Sequence, residues 1–176
     1  GESAVLVRVA CDLLGTDPAQ PICSCIETRV EADGGMEVEH LVVIPPAFAM
    51  VPRIGVIYPF GGGFEGVWWY GRGPWENYVD RKASALVGRW RSTVAGLFEP
   101  SYPVPGECGG REDVRQLTLA GDDGRRIEGS GAPAFHFSAL HYTPEDLAAA
   151  RHVWELTPRP GTFLVLDGWH MGVGGD

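Results

Sequence analysis

The sequence has no basic stretch: 14 Lys and Arg stand against 23 Asp and Glu in 176 residues, a formal net charge of -9. With no local cluster to offset that field, nucleic acid and anionic membrane surfaces are disfavoured as partners. Long apolar runs are also missing. Runs such as Leu41–Ile44 and Phe163–Leu166 fall far short of the roughly 20 residues of a membrane-spanning helix. The first residues lack the basic-then-apolar pattern of a signal peptide. Four cysteines, at 11, 23, 25 and 108, are too sparse for a disulfide scaffold and read as reduced thiols. Cys23 and Cys25 would share one strand face, yet no C-x₂-C or H-x₃-H completes a zinc set, so no metal site is expected. Catalytic motifs are absent too: no G-x-S-x-G elbow, Walker loop, G-x-G-x-x-G entering a helix or H-E-x-x-H. The chain is too short for a complete (β/α)₈ barrel.

What is present reads as β structure. The 44% hydrophobic content supports a core, and 25 Gly and 14 Pro punctuate short apolar runs. Strands are expected at Ser3–Cys11, Ile22–Glu31, Met36–Val43, Arg53–Tyr58, Gly66–Tyr70, Leu86–Trp90, Val114–Leu119, Arg125–Glu128, Phe135–His141 and Thr162–Asp167, separated by turn residues in a sandwich pattern. Asp33-Gly34-Gly35 between two alternating runs predicts a hairpin. One short helix is expected near 143–151, with Thr143 as N-cap, Pro144 at N1 and acids in the first turn. No repeat or composition shift divides the chain, so residues 1–176 are expected to form a single domain. The abrupt Gly1-Glu2-Ser3 opening and the Gly174-Gly175-Asp176 end suggest a fragment truncated at one or both ends.

Three polar clusters remain. In Tyr70–Arg81 two glycines and Pro74 force a turn crowded with charges, so Arg72, Glu76, Asn77, Asp80 and Arg81 are expected to satisfy one another; the competing reading is a sugar-facing or subunit-facing surface. Pro105–Arg115 brings Glu107, Arg111, Asp113 and Arg115 to a sheet rim. Leu164–Asp176 ends a buried strand in a glycine-rich turn carrying Asp167, Trp169 and His170. A histidine there is more often structural than catalytic.

The stretches Pro52-Arg53-Ile54-Gly55, Tyr70–Arg81, Gly106–Leu117, Phe137–Leu147 and Asp167–Asp176, in this order and spacing, resemble the C-terminal domain of the large bacterial β-galactosidases of glycoside hydrolase family 2. The resemblance covers Met36–Asp176, about four-fifths of the chain. It implies an all-β fold, a β-supersandwich similar in topology to galactose mutarotases, serving as an accessory domain. In such enzymes two glutamates on a barrel domain hydrolyse terminal β-galactosides with retention; none of that barrel is here. The resemblance thus implies no catalytic residue and no cofactor in this chain, the magnesium and sodium of the parent lying elsewhere. The remaining domains of the parent are the implied partners, carbohydrate is bound weakly if at all, homo-oligomerisation of the parent is left open, and a cytoplasmic location is implied.

Two departures from the family pattern stand out. Cys108 occupies the middle of a Glu-Asn-Gly motif, exchanging an amide for a poor hydrogen-bonding thiol and loosening that loop. Ala120–Ala134, where some relatives place an aromatic against the sugar, has none. Two other readings stay open. A free carbohydrate-binding module would use Trp68, Trp69 or Trp75 as a stacking platform, although most of the six tryptophans are expected to fill the core. A mutarotase-like enzyme would need a carboxylate facing His136, which the alternation of Phe135-His136-Phe137 sets opposite its neighbours with no acid near in sequence.

Overall fold

Among the described residues, alternating and β-branched runs form nine antiparallel strands in two sheets, and the fold class is all-β. The structure, a computed structural model, describes residues 4–15, 17–48 and 50–174. Ser3, Gly175 and Asp176 lie outside them. The chain divides into two compact units, Gly1–Val51 and Pro52–Asp176. No helix among the described residues is long and apolar enough to cross a membrane.

The first unit holds β1 (Val5–Leu13), β2 (Ile22–Val30) and β3 (Met36–Val43) in the order β1-β2-β3. The expected hairpin joins β2 to β3, with Gly34 at φ 89, a left-handed conformation that glycine adopts without a Cβ clash. Register puts Val5, Val7, Val9 and Leu13 on one face with Ile22, Ile26, Val30, Val38 and Val42, while Arg8, Asp12, Cys23, Cys25 and Glu27 share the other.

The second unit is a six-stranded sheet in the order β4-β9-β8-β7-β5-β6. Its strands are β4 (Arg53–Phe60), β5 (Phe64–Gly73), β6 (Leu86–Thr93), β7 (Arg111–Gly121), β8 (Arg126–Leu140) and β9 (Thr162–His170). The expected strands at Arg125–Glu128 and Phe135–His141 are one strand, β8. Pro133 does not break it, because β8 carries extra residues between Ser130 and Phe135 where its pairing with β7 shifts, so no ladder hydrogen bond is lost.

Val67, Trp69, Leu117, Leu119, Phe137, Ala139 and Leu164 form the core with Val94 and Leu97. The latter two lie on a helix that the sequence reading missed, α1 (Val94–Leu97), capped by the Thr93 hydroxyl accepting from Gly96 N at 2.9 Å. The expected helix is α2 (Pro144–Ala149), closed by a capping box between Thr143 and Asp146; Arg159 clamps Asp146 at 2.6 and 2.7 Å. A single 3₁₀ turn, Val153–Glu155, follows.

Candidate functional site

Strand register builds the densest polar cluster of the second unit. β8 pairs with β9 so that His136 stands directly opposite Asp167, and His136 Nδ1 lies 3.0 Å from Asp167 Oδ2, both residues fully buried. Arg53, opening β4, donates from Nε to both Asp167 oxygens at 2.9 Å. The same guanidinium reaches Glu107 at 2.9 and 3.3 Å, linking a surface loop to the buried acid. Gly55 makes this possible: a Cβ there would collide with the Asp167 carboxylate and the Leu166 carbonyl. Over the pair lies Tyr78, its ring centroid 5.5 Å from His136 and 5.4 Å from His170; the two imidazoles are 4.7 Å apart.

Asn77 and Tyr78 hold the covering loop by backbone groups of the next one. Asn77 N donates to Gly110 O at 2.9 Å, Glu112 N donates to Asn77 Oδ1 at 2.9 Å, and Gly110 N donates to the Tyr78 hydroxyl at 3.1 Å. Glu76 accepts from Arg81, from the Tyr102 hydroxyl and from Gly109 N, the last at 2.9 Å. The expected self-contained network is thus only partly formed. Arg81 does pair with Glu76, but Arg72 reaches Asp113 at 2.5 Å and the Ala85 carbonyl at 2.8 Å. Asp113 can face it because it adopts φ 54 within an irregular stretch of β7, a left-handed conformation that Asp tolerates better than most residues. Asp80 turns to the glycine-rich end, accepting from Val173 N at 3.1 Å and Gly174 N at 2.6 Å. Arg115 donates to the Asp113 carbonyl.

The electrostatics follow from these contacts. Burial would raise the Asp167 carboxyl, but the hydrogen bonds from His136 and Arg53 outweigh it and hold the group below its ordinary range. His170 is pushed down to about 4, first by burial and then by His136 and Arg53, so it is neutral near pH 7, with Nδ1 accepting from Gly172 N at 3.0 Å. Arg111, buried with its guanidinium 5.2 Å from the Trp69 ring, is lowered to about 10 by burial and stays charged. The Tyr78 phenol is driven upward by burial, out of acid–base range near neutrality.

The acid facing His136, invisible by sequence proximity, is therefore Asp167. Both are sealed from solvent, so the pair is placed to brace strands rather than to receive a sugar. Tyr78, Tyr102 and Arg53 were absent from the expected site residues, and His136 entered only as the histidine of the mutarotase-like reading; Arg53 lies in the Pro-Arg-Ile-Gly motif and Tyr78 in the crowded loop. Cys108 sits in a loop anchored on both sides. Its side chain is buried in the core, burial pushes its thiol up to about 11, and the Gly109 amide and Glu107 carboxylate anchor either side.

The expectation that most tryptophans are buried is corrected: Trp68, Trp75, Trp154 and Trp169 are exposed, and Trp69 is buried. Alternation on β5 sends Trp69 inward and Trp68 outward. Trp90 is partly buried and packs where a Cβ on Gly73 or Gly88 would stand. An open groove of ≈ 590 Å³ is lined by Arg81, Tyr102, Val104, Glu107 and Val173. Among the described residues no group of three or more His, Cys, Asp or Glu is arranged to hold a metal.

Residues 3–176 match the family described as Beta galactosidase small chain. The chain is 35% identical over 156 residues to a "Beta-galactosidase" of Priestia megaterium, covering 88% of this chain and 15% of that protein. It is 38% identical over 153 residues to a "Beta-galactosidase" of Aeromonas hydrophila, covering 83% and 14%. For one from Enterobacter cloacae the identity is 40% over 148 residues, covering 84% and 14%. The chain thus spans about one-seventh of the length of the curated relatives it matches. It belongs to the β-galactosidase small-chain family.

Proposed function

We propose that this chain is the C-terminal accessory domain of a β-galactosidase of glycoside hydrolase family 2, similar in topology to the galactose mutarotase supersandwich. The parent hydrolyses terminal β-D-galactosides with retention, using an acid–base glutamate and a nucleophilic glutamate on a barrel domain outside this chain. The chain completes that enzyme structurally, its partners being the other domains, in a cytoplasmic parent whose magnesium and sodium lie elsewhere. Any share in shaping the sugar site would come through the Arg81–Tyr102–Glu107 groove.

The observation that carries this reading is that the acids of its signature loops are engaged within the domain. Asp167 and Glu107 are held by Arg53, Glu76 by Arg81 and Gly109 N, Asp113 by Arg72, and Asp80 by two backbone amides. An acid already engaged by a guanidinium or by backbone amides of its own domain is placed as a brace and is not free to meet a sugar. The test is to co-express this chain with a β-galactosidase polypeptide lacking the matching segment. Restored hydrolysis of a nitrophenyl β-galactoside is expected; a folded, soluble chain that restores none would count against the reading.

A further inference from the structure

The first unit carries two thiols that the function above does not use. Cys23 and Cys25 stand two residues apart on β2, so both sulfurs lie on the same face of the sheet. Register sets Asp12 and Val43 on either side of Cys23, and Ala10 and Leu41 on either side of Cys25. The small Ala10 between Arg8 and Asp12 leaves a trough, and these side chains line it. Arg8 Nε donates to Cys25 Sγ at 3.2 Å. The Cys23 thiol bonds to the Asp12 carboxylate, which with burial raises it.

We propose that Cys23 and Cys25 form a two-thiolate site for a soft monovalent d¹⁰ cation, of which Cu(I) is the probe. Residues i and i+2 of a strand lie about 6.7 Å apart, near the upper limit of Cα separations that a disulfide spans. Direct closure to a disulfide is therefore disfavoured, whereas an ion between the sulfurs adds a metal–sulfur bond on each side. Soft thiolates select Cu(I) among biological cations. Zinc needs four ligands, and among the described residues no group of three or more His, Cys, Asp or Glu is arranged to hold a metal. On binding, two S–H bonds break, two metal–sulfur bonds form, and two protons leave to solvent with no change of oxidation state. The two thiolates and one monovalent ion leave a single negative charge, flanked by the Arg8 guanidinium on the Cys25 side and by the Asp12 carboxylate on the Cys23 side. Leu41 and Val43 wall the other side with apolar surface.

The test is anaerobic titration of the reduced full-length chain with Cu(I) in competition with bicinchoninate. One equivalent bound per chain is expected. Cys23→Ser and Cys25→Ser should each weaken binding at least 100-fold, Arg8→Ala several-fold, and Cys11→Ser and Cys108→Ser less than threefold. Far-UV circular dichroism confirms that each variant is folded. The proposal is overturned if the reduced chain takes up no Cu(I), if either β2 serine variant binds as the parent does, if Zn²⁺ binds comparably, or if air alone joins Cys23 to Cys25 in a disulfide found by peptide mass mapping.

Discussion

Asp167 on β9 and His136 on β8 are register partners, and their side chains meet at 3.0 Å with Arg53 closing the carboxylate from the far side. The acid is thus shared between a strand partner and a residue 114 positions away in sequence. Asn in its place would remove the charge and leave one acceptor oxygen, beside an NH2 donor, to face both Arg53 and His136. Breaking such a buried pair costs about 3–5 kcal/mol, and the partial exposure of Arg53 places Asp167→Asn toward the lower end. A fall in Tm of roughly 10 °C is expected. A melt unchanged for Asp167→Asn would show that the cluster does not brace the sheet.

Glu76→Ala removes an acceptor shared by Gly109 N, the Tyr102 hydroxyl and Arg81. Arg81 is half-exposed and regains water, so the loss comes mainly from the other two donors. A cost of about 1–3 kcal/mol is expected in urea unfolding, with the midpoint shifted and the slope retained.

Gly110→Ala tests the close packing over the pair. A methyl group there would meet the Tyr78 ring and His136 Nε2, and both side chains are buried. Overpacking of this kind costs about 1–3 kcal/mol. The readout is a lowered Tm together with loss of near-ultraviolet dichroism from Tyr78.

His170 gives stability a pH dependence of definite sign. Its pKa is about 4 in the folded chain against an ordinary 6.5, so between those values the unfolded chain binds more protons. Stability conferred by a neutral His170 is present above pH 6.5 and falls as the pH drops toward 4. The lowered Asp167 carboxyl adds a further loss below its own ordinary value, while Glu112, raised by burial, opposes part of the decline. Melts from pH 7.5 to 4.5 should show a falling Tm, and His170→Asn, which keeps an acceptor for Gly172 N, should flatten the drop between 6.5 and 4.5. An equally steep fall in that variant would assign the effect elsewhere.

Sugar binding by the chain alone should be weak. Trp69 is buried, Ala120–Ala134 holds no aromatic, and the groove beside Tyr102 is open, so galactose or lactose should bind with a Kd of about 1 mM or weaker. Titration calorimetry measures this directly. A micromolar constant abolished by Trp68→Ala or Trp75→Ala would favour a binding module instead.

Local signals carried much of the fold. The Asp33-Gly34-Gly35 turn, the Thr143–Pro144 helix start and the alternation through β5 and β9 are each written within a few residues. What needed the structure was long-range register. His136 and Asp167 are 31 residues apart, and a shift of one residue between β8 and β9 would turn one of them to the other face. The destinations of Arg72 and Asp80 depend likewise on an irregular stretch of β7 and on where the last glycines pass. The exposed tryptophans were misplaced because hydrophobicity alone does not tell which strand face is covered.

The most direct test of an accessory, non-catalytic role is the rate at which the purified chain alone hydrolyses a nitrophenyl β-galactoside. Retaining hydrolysis needs two carboxyl groups about 5–5.5 Å apart, one protonated and one ionised. Here Glu76 and Glu107 are tied to Arg81 and Arg53. No turnover above the uncatalysed rate is predicted. Turnover that persists through a second purification step and disappears in Glu76→Gln or Glu107→Gln would contradict the account and make this chain itself the enzyme.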